Sequence, residues 1–358
     1  MSQSAAPPTL VQLLEESGVR IRLYDMGRRV KKIERKQFLQ FEHGQLSWPV
    51  PLMRQAWFGM LMESDNDAQQ MQIWFLHLPL DEQAKLVQPS RDYFLQRLLE
   101  AWRYNQQQDD ASQLQDALKD NPCTFKPRED RLAVFHAKVS LDLNREPSRF
   151  YLHAMDYFNG KPGWDQWNFV GYQGIADIAA RYAQHEQRIA AALPHLPPEP
   201  LIALCHCLEN EVVPHSIATP LAQLLQQQLQ TREPDIPQTA ALLRALSNSS
   251  ATSIQHSAFE SVLQHSILAS DIEVLSAVSA RAWELLLKPE FARMFLHALA
   301  NQRVEQQGFD QLLQDLLFIP AVHQPLMEEL KQAEKSSAIA KRFEQFKKST
   351  GLNLKPES

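Results

Sequence analysis

Glycine is scarce. The chain has 10 in 358 residues, and none between Gly174 and Gly308. A sheet of that length would need turns at positive φ, which glycine usually supplies, so the gap argues for helices joined by Pro, Asn and Ser turns. Cysteine is scarcer: Cys123, Cys205 and Cys207 are an odd set without a secretion signal, which fits free thiols in a reducing compartment. No apolar run approaches the roughly 18 residues a membrane helix needs. The opening stretch, Met1 to Thr9, has no basic segment followed by an apolar core, so no signal peptide is expected. These absences predict a soluble, intracellular protein with no membrane partner. A net charge of -6 argues against wholesale nucleic-acid binding but leaves room for a local basic patch.

What is present is globular in composition, 44% hydrophobic and 22% charged. The first hundred residues read as a small α+β module, residues 8–104. Thr9 opens a short helix with Gln12 as its capping-box partner, and Gly18 stands where a C′ glycine belongs. Ile21 and Leu23 alternate with Arg20, Arg22 and Tyr24 as a half-buried strand, and a second strand is expected over 28–33. A short helix over 34–42 is closed by Gly44. Two stronger strands, 56–62 and 72–78, flank the polar Ser64 to Gln70 and predict a hairpin. Ser90 is read as the cap of a helix carrying Phe94, Leu98, Leu99 and Trp102. The polar stretch 105–126 reads as a linker holding at most one short helix, near Leu114 to Leu118.

From about residue 127 to 350 the pattern is helical throughout. Leu132, Phe135, Val139 and Leu143 form one stripe. Ser148 caps a second helix that Gly160 closes. Further pairs are expected at 168–183 with 185–193, 199–211 with 216–230, 237–247 with 254–267, 271–287 with 289–301, and 307–318 with 322–333. Their first helices begin 31 to 40 residues apart, the spacing of helical-repeat proteins. Short connections make antiparallel neighbours, and pairs too small to stand alone should stack on a shared core. The expected fold is therefore mainly α: an α+β N-terminal module followed by an irregular, HEAT-like α/α array.

A charge recurs with the repeat. Glu209 follows the apolar run Leu201 to Leu208, Arg244 follows Ala240 to Leu243, Arg281 follows Val274 to Ala280, and Asp315 follows Leu312-Leu313-Gln314. From Asp177 the steps are 32, 35, 37 and 34 residues. A charge inside an apolar helix must be paired or reach water. Two readings fit: a ladder of inter-repeat ion pairs such as Glu209 with Arg244, or a polar groove in which these side chains, with Arg181, contact a partner protein.

Motifs for chemistry are weak. Cys205-His206-Cys207 lies on a helix, where neighbours sit about 100° apart and cannot chelate one ion as a C-x₂-C turn does, so no metal or cofactor is expected. His136 flanks a helical stripe. Trp164-Asp-Gln-Trp167 precedes Gly171-Tyr-Gln-Gly174 and the i,i+4 pair Asp177 and Arg181. This stretch reads as a packing corner, with a ligand pocket of Trp167, Gln173 and Asp177 as its functional alternative. Asp81 reads as a cap. The one charge asymmetry is basic: Arg20, Arg22, Arg28, Arg29, Lys31, Lys32, Arg35 and Lys36, opposed only by Asp25 and Glu34. It reads as a solvated strand face or, through Arg28, Arg29, Lys31 and Lys32, as a site for an anion such as RNA.

Several segments carry a family likeness: Asp25-Met-Gly-Arg-Arg29, Trp74 to Glu82, Gly171 to Asp177 with Arg181, Leu242-Leu-Arg-Ala-Leu246 and Arg281-Ala-Trp-Glu284. Together they resemble the bacterial family called domain of unknown function 3549, over nearly the whole chain. The resemblance implies a bacterial cytoplasmic protein and brings no activity, cofactor or catalytic residue. The functional expectation is a non-enzymatic protein-interaction module or scaffold with its groove near Arg244 and Arg281. The alternative is an RNA-associated factor binding through residues 20–36. Third comes an enzyme centred near Trp167 and Asp177, His136 or Asp81.

Overall fold

In the computed structural model, which describes residues 9–16, 18–64, 71–108, 121–301, 303–334 and 337–351 (the backbone alone for 64 and 101–108), the chain divides into two compact units. One is Met1–Arg128 with Phe318–Pro320, the other Glu129–Leu317 with Ala321–Ser358.

In the first unit the Thr9 capping box forms as the spacing predicts: Thr9 Oγ1 accepts from Gln12 N at 3.1 Å, and Gln12 Oε1 from Thr9 N at 3.0 Å. It opens α1 (Leu10–Glu16). The buried Glu42 carboxylate also accepts from Leu10 N and Val11 N, at 2.7 and 3.3 Å. Four strands follow, β1 (Val19–Asp25), β2 (Lys31–Ile33), β3 (Gln55–Ser64) and β4 (Met71–Pro79), in the antiparallel order β2-β1-β3-β4. The expected strand over 28–33 is thus only its last three residues. Asp25 Oδ1 takes Gly27 N at 2.7 Å and turns the chain, and Arg28 and Val30 are drawn into the interior. Helix α2 (Arg35–Glu42) and helix α3 (Gln88–Gln108) lay Phe38, Phe41, Phe94 and Leu98 against Phe58, Met60 and Trp74 of the sheet. Helix α3 starts before Ser90, because Pro89 suits a first turn that needs no N–H donor. Of the stretch 105–126, residues 105–108 continue α3. Further on, Cys123 to Phe125 run beside β4, with His77 N bonding Cys123 O at 2.8 Å and Phe125 N bonding Phe75 O at 3.1 Å. The short helix expected at 114–118 and the hairpin tip at 65–70 lie outside the described residues.

The second unit is a helical array. Its elements are α4 (Glu129–Asp142), α5 (Tyr151–Tyr157), a 3₁₀ segment (Trp164–Phe169), α6 (Tyr172–Ala180), α7 (Tyr182–Ala192), α8 (Pro198–Leu208), α9 (His215–Gln230), α10 (Ile236–Leu246), α11 (Thr252–Leu263), α12 (Ile272–Arg281), α13 (Pro289–Leu299), α14 (Gln306–Leu317), α15 (Pro320–Gln332) and α16 (Ala338–Thr350). Helices α4, α6, α8, α10, α12 and α14 pack in succession as one layer, and α7, α9, α11 and α13 as another. The apolar runs that begin the repeats are buried: Leu204 and Leu208, Leu242 and Leu246, Leu275 and Val278. Starts are set by side-chain caps, Asp235 on Gln238 N at 2.9 Å and Asp271 on Glu273 N at 2.8 Å. The helix expected over 168–183 is broken in two places, since the Trp164 segment is 3₁₀ and Arg181 leaves helical geometry at φ -102, ψ 24. Gly174 lets α6 approach α5 closely: a Cβ there would lie 2.6 Å from Phe150 O and 2.8 Å from Ala154 Cβ.

Candidate functional site on the first-helix layer

The repeat-spaced charges do not form one row. Three of them meet, and a fourth residue joins. Glu209 follows α8 and is 1% exposed. Its Oε2 accepts from Arg244 Nε of α10 at 2.5 Å, and its Oε1 accepts from Arg281 Nε of α12 at 2.7 Å and from Arg131 Nη1 of α4 at 3.3 Å. Arg131 also reaches Asn210 Oδ1 at 3.2 Å, and Lys138 Nζ binds Asn210 O at 2.8 Å and Glu211 Oε1 at 2.6 Å. One carboxylate thereby ties the ends of four first-layer helices together. Burial pushes its pKa up, but Arg281, Arg244 and Arg131 outweigh that and hold it at about 2, so it is ionised at neutral pH. Burial pushes Arg281 down, Glu209 pulls it back up, and the Arg131 and Arg244 charges add to the downward push. A guanidinium keeps its proton under such pressure, so the group stays a cationic cage around an anion. His206 is pressed to about 4 by burial and then by Arg244, and is neutral.

Arg244 differs from the other two arginines. Among the described residues it bonds Glu209 through Nε alone, and its side chain stays 26% exposed against 11% for Arg281. Both Nη groups are left to offer four N–H donors to something else.

Asp177 and Arg181 form a separate buried pair. Asp177 accepts from Ser148 N at 3.1 Å and Arg181 Nη1 at 3.4 Å, while Arg181 Nη2 reaches Arg145 O at 3.3 Å and Ser140 Oγ at 3.5 Å. A cleft of about 590 Å³ opens beside Arg181, along the connection between α4 and α5. Asp315, half-buried on α14, stands outside the Glu209 group. The pocket expected from Trp167, Gln173 and Asp177 does not assemble. Gln173 Nε2 is committed to Ala133 O at 3.1 Å and Asp177 to its own pair, and Trp167 sits half-buried in the 3₁₀ segment. His136 lies exposed on α4. Asp81 holds its own loop, accepting from Gln83 N and Lys85 N at 2.9 Å each.

The basic run of the first unit is divided. Arg28 is 1% exposed with Nε on Pro51 O at 2.9 Å, so it is a structural cation rather than a surface one. Arg29 is half-buried, Arg22 pairs with Glu63 at 3.2 Å, and Arg35 pairs with Glu15. Lys31, Lys32 and Lys36 are exposed. Cys205 and Cys207 are buried free thiols whose pKa values burial drives up. Among the described residues no group of three or more His, Cys, Asp or Glu is placed to hold a metal ion, and no helix is long and apolar enough to cross a membrane.

The family model described as protein of unknown function DUF3549 matches residues 7–347. The chain belongs to the DUF3549 family. No curated protein and no solved structure matches it. In this DUF3549 chain, sequence reasoning missed Arg131 and Lys138. Arg131 lies 78 residues before Glu209, ahead of the first counted step, so the repeat spacing could not point to it. The signal available was local: Glu129-Asp130-Arg131 is a charged first turn directly before the apolar Leu132 to Phe135.

Proposed function

We propose that the chain is a non-enzymatic interaction module that takes an acidic segment of a partner protein along its first-helix layer, with Arg244 as the contact. The supporting observation is the unused half of the Arg244 guanidinium. It sits in a group where three arginines surround one buried glutamate, so its orientation is fixed before any partner arrives. Arg281 lies deeper and holds the group in place. Buried free thiols fit a reducing compartment, and we place the module in the bacterial cytoplasm.

The test is affinity purification of the full chain from nuclease-treated cell extract, in parallel with Arg244→Gln. A protein partner that survives nuclease and is lost with Arg244→Gln, at an unchanged fold by circular dichroism, is the expected result. Loss of every partner on nuclease treatment would overturn the reading. It would favour nucleic acid on the first unit, for which the exposure of Lys31, Lys32 and Lys36 is the specific support.

A further inference from the structure

The cleft beside the α4–α5 connection is separate from the Glu209 group, and its walls combine cationic and apolar surface. Arg181 is its floor, 7% exposed, and all three of its side-chain hydrogen bonds are long, between 3.3 and 3.5 Å. Arg145 and Arg149 are exposed on the rim, and Glu146 is the one acidic residue among the lining. Leu141 and Leu152, 39% and 74% exposed, add an apolar margin.

Tyr151 supplies a further donor, by an argument from tautomers. Arg188 Nη1 stands 2.8 Å from His185 Nδ1. A guanidinium only donates, so Nδ1 accepts. Burial first, then the Arg188 and Arg181 charges, keep the His185 ring neutral, and a neutral ring with Nδ1 accepting carries its proton on Nε2. That proton points to Tyr151 Oη, 2.6 Å away, which therefore accepts. The Tyr151 hydroxyl hydrogen is released from His185 and free to donate, and Tyr151 lines the cleft.

We propose that this cleft binds an acidic peptide segment of a partner protein, seating a carboxylate between the Tyr151 hydroxyl and the Arg181 and Arg149 guanidiniums while a neighbouring apolar side chain covers Leu141 and Leu152. Charge complementarity selects the acid, and the leucines select a peptide over a bare inorganic anion, which would leave them wet. The proposal extends the interaction-module reading to a second surface and stands or falls separately, because its test uses defined peptides and different residues.

The experiment is fluorescence anisotropy on the full chain with a labelled peptide of alternating glutamate and leucine. Its glutamine–leucine counterpart is run in parallel, and inorganic phosphate and a single-stranded RNA serve as competitors. The glutamate peptide should bind saturably and more weakly as salt rises, and the glutamine peptide should not bind. Arg149→Glu and Tyr151→Phe should each weaken binding on the order of tenfold, the loss of one charge-assisted or preorganised hydrogen bond. Leu152→Ser, at an exposed position that folding does not need, should weaken it as well, and Arg244→Gln should leave it unchanged. The proposal is overturned by any of three results: equal binding of both peptides, no saturable binding, or binding indifferent to Arg149→Glu and Leu152→Ser. Complete displacement by RNA at concentrations where phosphate has no effect would likewise overturn it in favour of a nucleic-acid site.

Discussion

Glu209→Gln preserves the shape of a side chain that three guanidiniums surround and removes its charge. The carboxylate is held at about 2, well below the 4.5 of an ordinary glutamate. By linkage that difference corresponds to about 3 kcal/mol of stability at neutral pH. Removing one partner of a buried charge group costs about 3–5 kcal/mol by comparison with other proteins, so the two routes agree. In a domain of this size each kcal/mol moves the melting temperature by about 2–4 °C, so the variant should melt about 6–12 °C lower at pH 7. The pH dependence has a definite sign. The folded pKa lies below the unfolded one, so the contribution is complete above the unfolded value and is lost as pH falls through the folded value. The gap between wild type and variant should therefore be full at pH 7 and close between about pH 4.5 and pH 2. Differential scanning calorimetry across that range measures it. A gap below about 1 kcal/mol at pH 7, the value of an exposed pair, would refute the reasoning, as would a gap that does not change with pH.

Gly174→Ala places a methyl group 2.6 Å from Phe150 O and 2.8 Å from Ala154 Cβ, and should cost about 1–3 kcal/mol in a thermal melt as α5 and α6 are forced apart. Arg28→Ala should destabilise the first unit by about 2 kcal/mol, because the buried Pro51 carbonyl loses its donor, whereas Lys31→Ala with Lys36→Ala, at exposed positions, should stay within about 0.5 kcal/mol in the same urea titration. Cys123, Cys205 and Cys207 should resist a thiol reagent at pH 8 in the native protein and react fully in denaturant, since burial raises all three.

Periodicity made the array legible. Apolar stripes at helical spacing, Pro, Asn and Ser turns, and the missing glycines placed the helix pairs within a few residues, because those features act locally. Breaks inside elements were less visible. Nothing in residues 168–183 announces that Arg181 leaves helical geometry; its guanidinium is drawn to Asp177, Arg145 O and Ser140 Oγ, and two of those are 36 and 41 residues away. The same limit applies to the charges. Spacing picked out Glu209, Arg244 and Arg281 as related, yet equal spacing could not say that they converge while Asp177 and Asp315 do not. Position along the helix does not decide it either: Arg244 and Asp315 each stand two residues before the last residue of their helix, and only Arg244 reaches Glu209. Arg28 was misread for a similar reason. In a run of eight basic residues, only the turn made by Asp25 and Gly27 decides which cation turns inward.

A double-mutant cycle between Glu209→Gln and Arg281→Met, read by urea denaturation at pH 7, tests most directly that charges from successive repeats meet on one buried carboxylate. These residues lie 72 positions apart, and the short Arg281 Nε to Glu209 Oε1 bond predicts a coupling of about 2 kcal/mol or more. Single-mutant effects that add to within about 0.5 kcal/mol would contradict it.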